Sequence, residues 1–126
     1  MTATSNQYVT VLWEAKAKSG READMKAFMT KAVTASRFDT GNIDYEAHEV
    51  EGQSGVFVIF ERWENRAALD GHLHAPRMQE LVPALLDLMD GTIEDGIRFL
   101  QPFRPARLGH PPAMIRRARL RRSMIT

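Results

Sequence analysis

Hydrophobic residues alternate with polar ones in several short stretches of the chain and recur at helical spacing in the segments between them. Such stretches predict β-strands over residues 7–16, 42–50 and 92–103, and the apolar run that begins at Val56 predicts a further strand over residues 56–63. The apolar residues of the first intervening segment fall on one helical stripe: Met25, Phe28, Met29, Ala32 and Val33. A second stripe over residues 78–89 contains Pro83, so we expect a helix with a kink or a break there.

The predicted elements follow the order β-α-β-β-α-β. This order is typical of the α+β class in its ferredoxin-like form, the split βαβ arrangement, in which both helices cover one face of an antiparallel sheet. The chain has 126 residues, of which 44% are hydrophobic, and this suffices for one core of ordinary size. We therefore expect one domain over residues 1–103 and a separate C-terminal tail over residues 104–126.

Local signals refine where the elements begin and end. The run Ser19-Gly20-Arg21-Glu22 has the form of a capping box, in which a hydroxyl and a carboxylate satisfy the first N–H groups of a helix. Asn65 is expected to cap a second, shorter helix that carries His72. Gly96 interrupts the fourth strand, where it is expected to mark a bulge.

The third strand presents hydrophobic side chains on both of its faces. Its odd-numbered residues from Phe57 to Trp63 share one face, and its even-numbered residues from Val56 to Arg62 share the other. One chain supplies helices for only one face of the sheet, so the other face would remain apolar and uncovered. We therefore predict a homodimer in which two sheets pack face to face.

Charge divides the chain into two unlike parts. Residues 1–103 contain all sixteen Asp and Glu but only ten of the seventeen Lys and Arg, a net charge of −6, whereas residues 104–126 carry the other seven, all arginines. We therefore predict that the tail is a flexible, solvated extension. Hydrophobic residues lie among the arginines, so a basic amphipathic helix that binds an anionic partner weakly is the alternative interpretation.

Composition also excludes several classes of protein. The chain has no cysteine, so it forms neither a disulfide nor a thiolate metal site. No hydrophobic run is long enough to span a membrane, and the first residues lack the features of a signal peptide, so we expect a cytoplasmic location. The sequence contains no phosphate-binding loop and no dinucleotide motif.

Two runs of residues resemble a known family. They are Gly41-Asn42-Ile43-Asp44-Tyr45-Glu46, and Phe57-Val58-Ile59-Phe60-Glu61-Arg62-Trp63 followed by Ala67-Ala68-Leu69-Asp70-Gly71-His72-Leu73. Together they resemble the antibiotic biosynthesis monooxygenase domain, including quinol monooxygenase-like members, over roughly residues 8–103. The resemblance implies a dimeric α+β barrel. Many members of the family have Pro-His-Phe where this chain has Pro76-Arg77-Met78.

The resemblance also implies a chemistry, the oxidation of a small phenolic, quinol-type or polycyclic aromatic substrate by O2 without a cofactor. An electron-rich phenolate can pass an electron to oxygen itself, so the protein need only bind the substrate, deprotonate it and exclude water. His72 is the expected general base, and Glu61 either orients its imidazole or accepts the proton itself. The expected substrate-binding residues are Trp63, Tyr45, Phe28, Met29 and His74.

Other interpretations of the same residues remain. His72 could be a hydrogen-bonded core residue, Glu61 could pair with a neighbouring arginine, and the aromatic residues could serve packing alone. The protein could instead be a non-catalytic dimeric ligand-binding or stress-response module, or a cofactor-free isomerase that uses the same base. No metal site is expected, because His72 and His74 lie two residues apart and point in different directions from a helix.

Overall fold

Five β-strands and three α-helices are found in residues 8–103, the part of the chain that the computed structural model describes. In chain order they are β1 (Val9–Ala17), α1 (Glu22–Ser36), β2 (Asn42–Glu49), β3 (Val56–Trp63), α2 (Arg66–Leu73), α3 (Met78–Leu88), β4 (Met89–Asp90) and β5 (Ile97–Leu100). None of these helices is long and apolar enough to cross a membrane. The expected tail over residues 104–126 lies outside the described residues.

The strands form one antiparallel sheet in the order β2-β3-β1-β4, and β5 pairs with β1 along the same edge as β4. The longest ladder joins β1 to β3, with Val9 opposite Trp63 and Lys16 opposite Val56. Because consecutive strands β2 and β3 form a hairpin while β1 lies beside β3, the connections are those of the split βαβ unit. The predicted ferredoxin-like α+β fold is confirmed.

The hydrophobic core lies between the helices and one face of the sheet, the inner face. Its largest fully buried side chains are Trp63 of β3 and Met25 of α1. The other buried hydrophobic residues are Val11, Trp13, Ala15, Ala17, Met29, Val33, Tyr45, Phe57, Ile59, Leu69, Leu85, Leu88 and Met89. The predicted stripe of α1 is the side that packs into this core, with Phe28 partly buried at its margin.

The opposite face of the sheet, the outer face, is only partly covered within one chain. Burial alternates along β3, so that the odd-numbered residues are buried while Val56, Val58 and Phe60 are half-buried. Leu12 of β1 lies directly opposite Phe60 and is also half-buried. These four residues form an apolar stripe on the outer face.

The expected capping box at the start of α1 does not form. The helix begins at Glu22, with Arg21 at the N-cap position and no side chain capping it. A tight turn, in which Arg21 N donates to Lys18 O at 2.8 Å, holds Ser19 outside the first turn of the helix. The Glu22 carboxylate instead accepts a hydrogen bond from the backbone N of Gly20 at 3.3 Å.

The fourth strand, predicted over residues 92–103, is shorter than expected: only β5 (Ile97–Leu100) forms within that range, and the two-residue strand β4 (Met89–Asp90) lies before it. A 3-10 turn over Glu94–Gly96 takes the place of the expected bulge. A Cβ on Gly96 would clash with the backbone carbonyl of Glu14, so the turn passes closer to β1 than any side chain permits. The strand therefore begins after Gly96 and does not run through it.

Two other helix predictions have clear outcomes. Asn65 caps α2 as expected, since its side-chain oxygen accepts a hydrogen bond from Ala68 N at 2.9 Å. Helix α3 continues through Pro83 without a break. Pro83 and Gln79, the residue whose carbonyl loses its intrahelical partner, are both exposed, so water can satisfy that carbonyl.

Candidate functional site

A cavity of about 150 Å³ lies between the inner face of the sheet and the three helices. Most of its lining is hydrophobic, and its titratable side chains are Tyr45, Glu61 and His72. Leu73 and Phe99 line the cavity and are each 50% exposed, so they mark its opening to solvent. A mostly apolar cavity with a few polar groups on one wall is typical of a small-molecule site.

Glu61 reaches the cavity because it occupies an inward-facing position of β3. Its side chain is 7% exposed, and its Oε1 accepts a hydrogen bond from the indole Nε1 of Trp63 at 2.9 Å. The two residues share a face because they are two apart on a strand. Burial raises the pKa of Glu61 to about 7, although hydrogen bonds from Trp63 and Tyr45 oppose the shift. The carboxyl is therefore divided between its two protonation states at neutral pH.

His72 enters the same region from α2 and is 4% exposed. Its ring lies over Trp63, with 4.8 Å between centroids and planes tilted by 33°, and meets Tyr45 at 5.5 Å in an edge-on contact. Burial lowers the pKa of His72, and the nearby Asp39 carboxylate only partly opposes this shift. The imidazole is consequently neutral at pH 7, the state that can accept a proton.

Asp39 holds the imidazole of His72. Its Oδ2 lies 2.7 Å from His72 Nδ1, so the neutral ring carries its proton on Nδ1 and leaves a lone pair on Nε2. Arg77 binds the same carboxylate through Nη1 at 2.9 Å and Nη2 at 2.6 Å. Burial alone would raise the pKa of Asp39, but the hydrogen bonds from Arg77 and His72 outweigh it and hold the pKa below its usual value. Asp39 is therefore ionised when it binds His72.

Tyr45 completes the polar wall from β2. Burial and the neighbouring Glu61 carboxylate raise its pKa, so the phenol stays protonated and can donate a hydrogen bond. Its ring meets Trp63 almost perpendicularly, at 82° with 6.2 Å between centroids. Tyr45, Trp63 and His72 thus form one aromatic cluster, and such contacts stabilise the rings against one another.

The predicted site residues are not all found in the same place. Glu61, His72, Tyr45, Phe28 and Met29 line the cavity. Trp63 lies behind them, fully buried, and reaches the site through its contacts with Glu61 and His72. The structure does not bring His74 to the cavity. That residue is exposed at the end of α2, where its Nδ1 lies 2.8 Å from the Asp70 carbonyl.

Sequence reasoning missed Asp39, which orients His72 and so takes one of the two roles that were expected of Glu61. The carboxylate that contacts His72 belongs to Asp39, which lies 33 residues earlier in the chain. No local pattern marks Asp39, since it follows α1 in a turn.

Within residues 8–103, no group of three or more His, Asp or Glu side chains is arranged to hold a metal ion.

Replacing Glu61 by glutamine should stabilise the protein above neutral pH and have little effect near pH 5. The pKa of Glu61 is higher in the folded state than in an unfolded chain, so the folded state binds more protons. The free energy of unfolding therefore falls as pH rises from the unfolded-state pKa to the folded-state pKa. Glutamine removes this pH dependence, so Glu61→Gln should gain roughly 2–4 kcal/mol in free energy of unfolding at pH 8. Urea unfolding of both proteins at pH 5 and pH 8 measures this gain. The exposed Glu80→Gln is the control, and an equal effect of Glu61→Gln at both pH values would contradict the expectation.

These observations define an α+β domain in which a buried carboxyl, Glu61, and a buried imidazole, His72, line an apolar cavity. The chain belongs to the antibiotic biosynthesis monooxygenase family, whose sequence profile matches residues 8–84. The family inferred from the two sequence runs is therefore confirmed.

Individual relatives agree with this assignment. An uncharacterised protein of Synechocystis is 33% identical over 81 residues, which cover 64% of this chain and 55% of that protein, so the chain spans about half the length of this relative. YcnE of Bacillus subtilis, proposed to be a monooxygenase, is 25% identical over 79 residues, covering 63% of this chain and 83% of YcnE.

Solved structures support the fold. A conserved protein of Methanosarcina mazei superimposes with a TM-score of 0.69 at 17% identity, covering 80% of this chain and 98% of that one. A protein of Deinococcus radiodurans, proposed to be an antibiotic biosynthesis monooxygenase, superimposes with a TM-score of 0.66 at 23% identity, covering 81% and 99%.

Proposed function

We propose that this protein is a cofactor-independent monooxygenase that oxidises a small phenolic or quinol-type substrate with O2 in the cavity on the inner face of the sheet. The observation that carries the proposal is the presence in one apolar cavity of two groups that can accept a proton: Glu61, a carboxyl whose pKa is raised to about 7, and His72, a neutral imidazole. Both contact Trp63, which places them on the same wall. Family membership supports the reaction class.

The size of the cavity favours a single aromatic ring. A dry cavity of about 150 Å³ in another protein binds benzene, and this cavity has a similar volume. Its hydrophobic lining suits the faces of a ring, while Tyr45, Glu61 and His72 can hydrogen-bond to its hydroxyl groups. A polycyclic substrate would require the helices to move apart.

Proton removal is the step that the protein would catalyse directly. A substrate hydroxyl near Nε2 of His72 would lose its proton to that nitrogen, because the ring is neutral and its other nitrogen is held by Asp39. Glu61, when ionised, is a second acceptor, and its pKa of about 7 suits proton exchange at neutral pH.

Oxygen chemistry would then follow from the substrate itself. The phenolate gives one electron to O2, and the resulting radicals combine at a ring carbon to form a peroxide. Cleavage of the O–O bond leaves one oxygen atom on the ring as a carbonyl and releases the other as water. For a quinol the balance is quinol plus O2 to hydroxyquinone plus water, so the substrate supplies all the electrons. The hydrophobic lining would keep other water away from the reactive intermediate.

Oxygen consumption tests the proposal. Purified protein, treated with a chelator, should consume O2 with single-ring quinols and catechols faster than with three- or four-ring polyphenols, and product should contain one atom of labelled oxygen. Turnover that is equally fast under nitrogen would indicate the isomerase instead. Saturable quenching of tryptophan fluorescence with no turnover of any compound would indicate the binding module. Either of these results would overturn the monooxygenase.

A further inference from the structure

We propose that Arg77, acting through Asp39, positions His72 so that its Nδ1 carries the proton and its Nε2 is free to accept one from the substrate. The inference rests on the proposed function for its catalytic consequence, and on geometry alone for the orientation of His72. Arg77 serves the site indirectly, through the carboxylate that it binds.

Three separate segments meet at Asp39. The aspartate lies in the turn between α1 and β2, His72 lies in the last turn of α2, and Arg77 is the N-cap residue of α3. Oδ1 of Asp39 accepts from Arg77, and Oδ2 accepts from both Arg77 and His72. A planar guanidinium that binds both oxygens sets the rotation of the carboxylate, which then sets the rotation of the imidazole.

The guanidinium itself is held by few contacts. Nη2 of Arg77 also donates to Ser36 Oγ at 3.3 Å, and Ser36 Oγ donates to the Ala32 carbonyl at 2.8 Å. Within the described residues Nε of Arg77 is buried without a hydrogen-bond partner. The guanidinium orientation therefore follows from Asp39 and Ser36, at the expense of one unpaired N–H.

Neither Asp39 nor Arg77 lines the cavity, whereas His72 and Ser36 do. Asp39 and Arg77 consequently cannot contact a substrate in the cavity and must act through the residues that they hold. They are positioning residues. Their removal should lower kcat while leaving KM nearly unchanged, because the surfaces that bind substrate stay in place.

The charged groups around His72 predict opposite responses to two substitutions. The imidazole is flanked by Asp39 from the α1–β2 turn and by Arg77 from α3, and on its other side by Tyr45 of β2 and, beyond Trp63, by Glu61 of β3. Asp39 raises the pKa of His72 and Arg77 lowers it. Asp39→Asn should therefore lower the His72 pKa, and Arg77→Gln should raise it.

Nuclear magnetic resonance of 15N-labelled histidine reads the tautomer and the pKa directly, whether or not any substrate is known. His72→Gln identifies which of the four histidine signals belongs to His72. We expect the wild type to hold the proton on Nδ1 alone. In Asp39→Asn the amide can donate to Nδ1, so the proton should move in part or wholly to Nε2. Arg77→Gln should give a mixture of tautomers. Arg77→Lys should give a smaller fraction of the Nδ1 tautomer than the wild type, because lysine lacks the planar fork with which arginine binds both oxygens of Asp39.

Activity on whichever quinol the wild type oxidises gives the second readout. Asp39→Asn should lower kcat by about a hundredfold or more, and Arg77→Gln by roughly tenfold, through loss of the correct tautomer and orientation. Arg21→Gln is the matched control, because Arg21 pairs with Asp24 at the exposed start of α1. It should change neither kcat nor the His72 tautomer.

The outcomes separate this inference from the proposed function. If the wild type carries the proton on Nε2 of His72, the inference is overturned, whatever the variants show. A lower melting temperature in Arg77→Gln, with tautomer, pKa and kcat unchanged, would show that the ion pair is only structural and would also overturn it. Altered tautomers in a protein that consumes no oxygen would support the positioning role while rejecting the monooxygenase.

Discussion

Replacing His72 by glutamine is expected to reduce O2 consumption by about a hundredfold to ten-thousandfold, the usual contribution of a general base. Glutamine can still donate a hydrogen bond to Asp39, so the local packing should survive while the proton-accepting nitrogen is lost. The loss should appear in kcat, because the hydrophobic lining that binds the ring remains. Oxygen-electrode measurements across a range of substrate concentrations provide both kcat and KM.

His74→Gln is the matched control for this change. His74 lies two residues away but is exposed and does not line the cavity, so its replacement should leave kcat within about twofold of the wild type. A full loss of activity in His74→Gln, or full activity in His72→Gln, would contradict the site described above. If His72→Gln changed only the pH dependence of kcat, and not its maximum value, Glu61 would be the principal base.

Replacing Phe60 by glutamate is expected to prevent the predicted dimer from forming. Phe60 lies in the apolar stripe of the outer face with Val56, Val58 and Leu12, and all four are half-buried in one chain. A second sheet packed on this stripe would bury them fully. A carboxylate introduced there would lose its water without gaining a partner, and two-fold symmetry would place the same unpaired charge on both subunits.

Sedimentation equilibrium at micromolar protein concentrations measures this effect. Ala27→Glu is the control, since Ala27 is exposed on α1, and the same hydrophobic-to-carboxylate change there should leave the dimer intact. A wild type that sediments as a monomer at tens of micromolar would contradict the dimer itself. A Phe60→Glu protein that stays dimeric would show that the subunits associate through another surface.

The two predictions test different parts of the molecule. His72 and the cavity lie on the inner face of the sheet, while Phe60 lies on the outer face. The His72→Gln variant should therefore still form the predicted dimer, and the Phe60→Glu variant should still consume O2. Phe60→Glu monomers that retained full activity would show that the cavity is complete within one chain. Loss of activity on dissociation would show that the second subunit supports the cavity.

Sequence periodicity was sufficient for the elements that depend on neighbouring residues. Alternation along β3 placed Glu61 and Trp63 on one face, and in the structure they are joined by a hydrogen bond. The helical stripe of α1 identified Met25 and Met29 as buried. Asn65 was identified as a cap because capping involves residues only three positions apart.

Predictions failed where the local pattern was compatible with two geometries. Ser19 and Glu22 have the spacing of a capping box, but a local turn holds Ser19 outside the helix and prevents one. The fourth strand was expected to contain a bulge at Gly96, whereas a 3-10 turn that passes close to Glu14 of β1 lies there and β5 begins after it. In this second case the deciding contact is tertiary, so the residues around Gly96 carry no signal of it.

The order of the main elements, the buried side of α1 and the family could be predicted from periodicity and from short runs of residues. The carboxylate that holds His72 could not, because it depends on contacts between distant parts of the chain. Asp39 and Arg77 are 38 residues apart and meet because the turn after α1 and the start of α3 converge beside α2. A contact of that kind depends on the path of the whole chain, and neighbouring residues carry no signal of it.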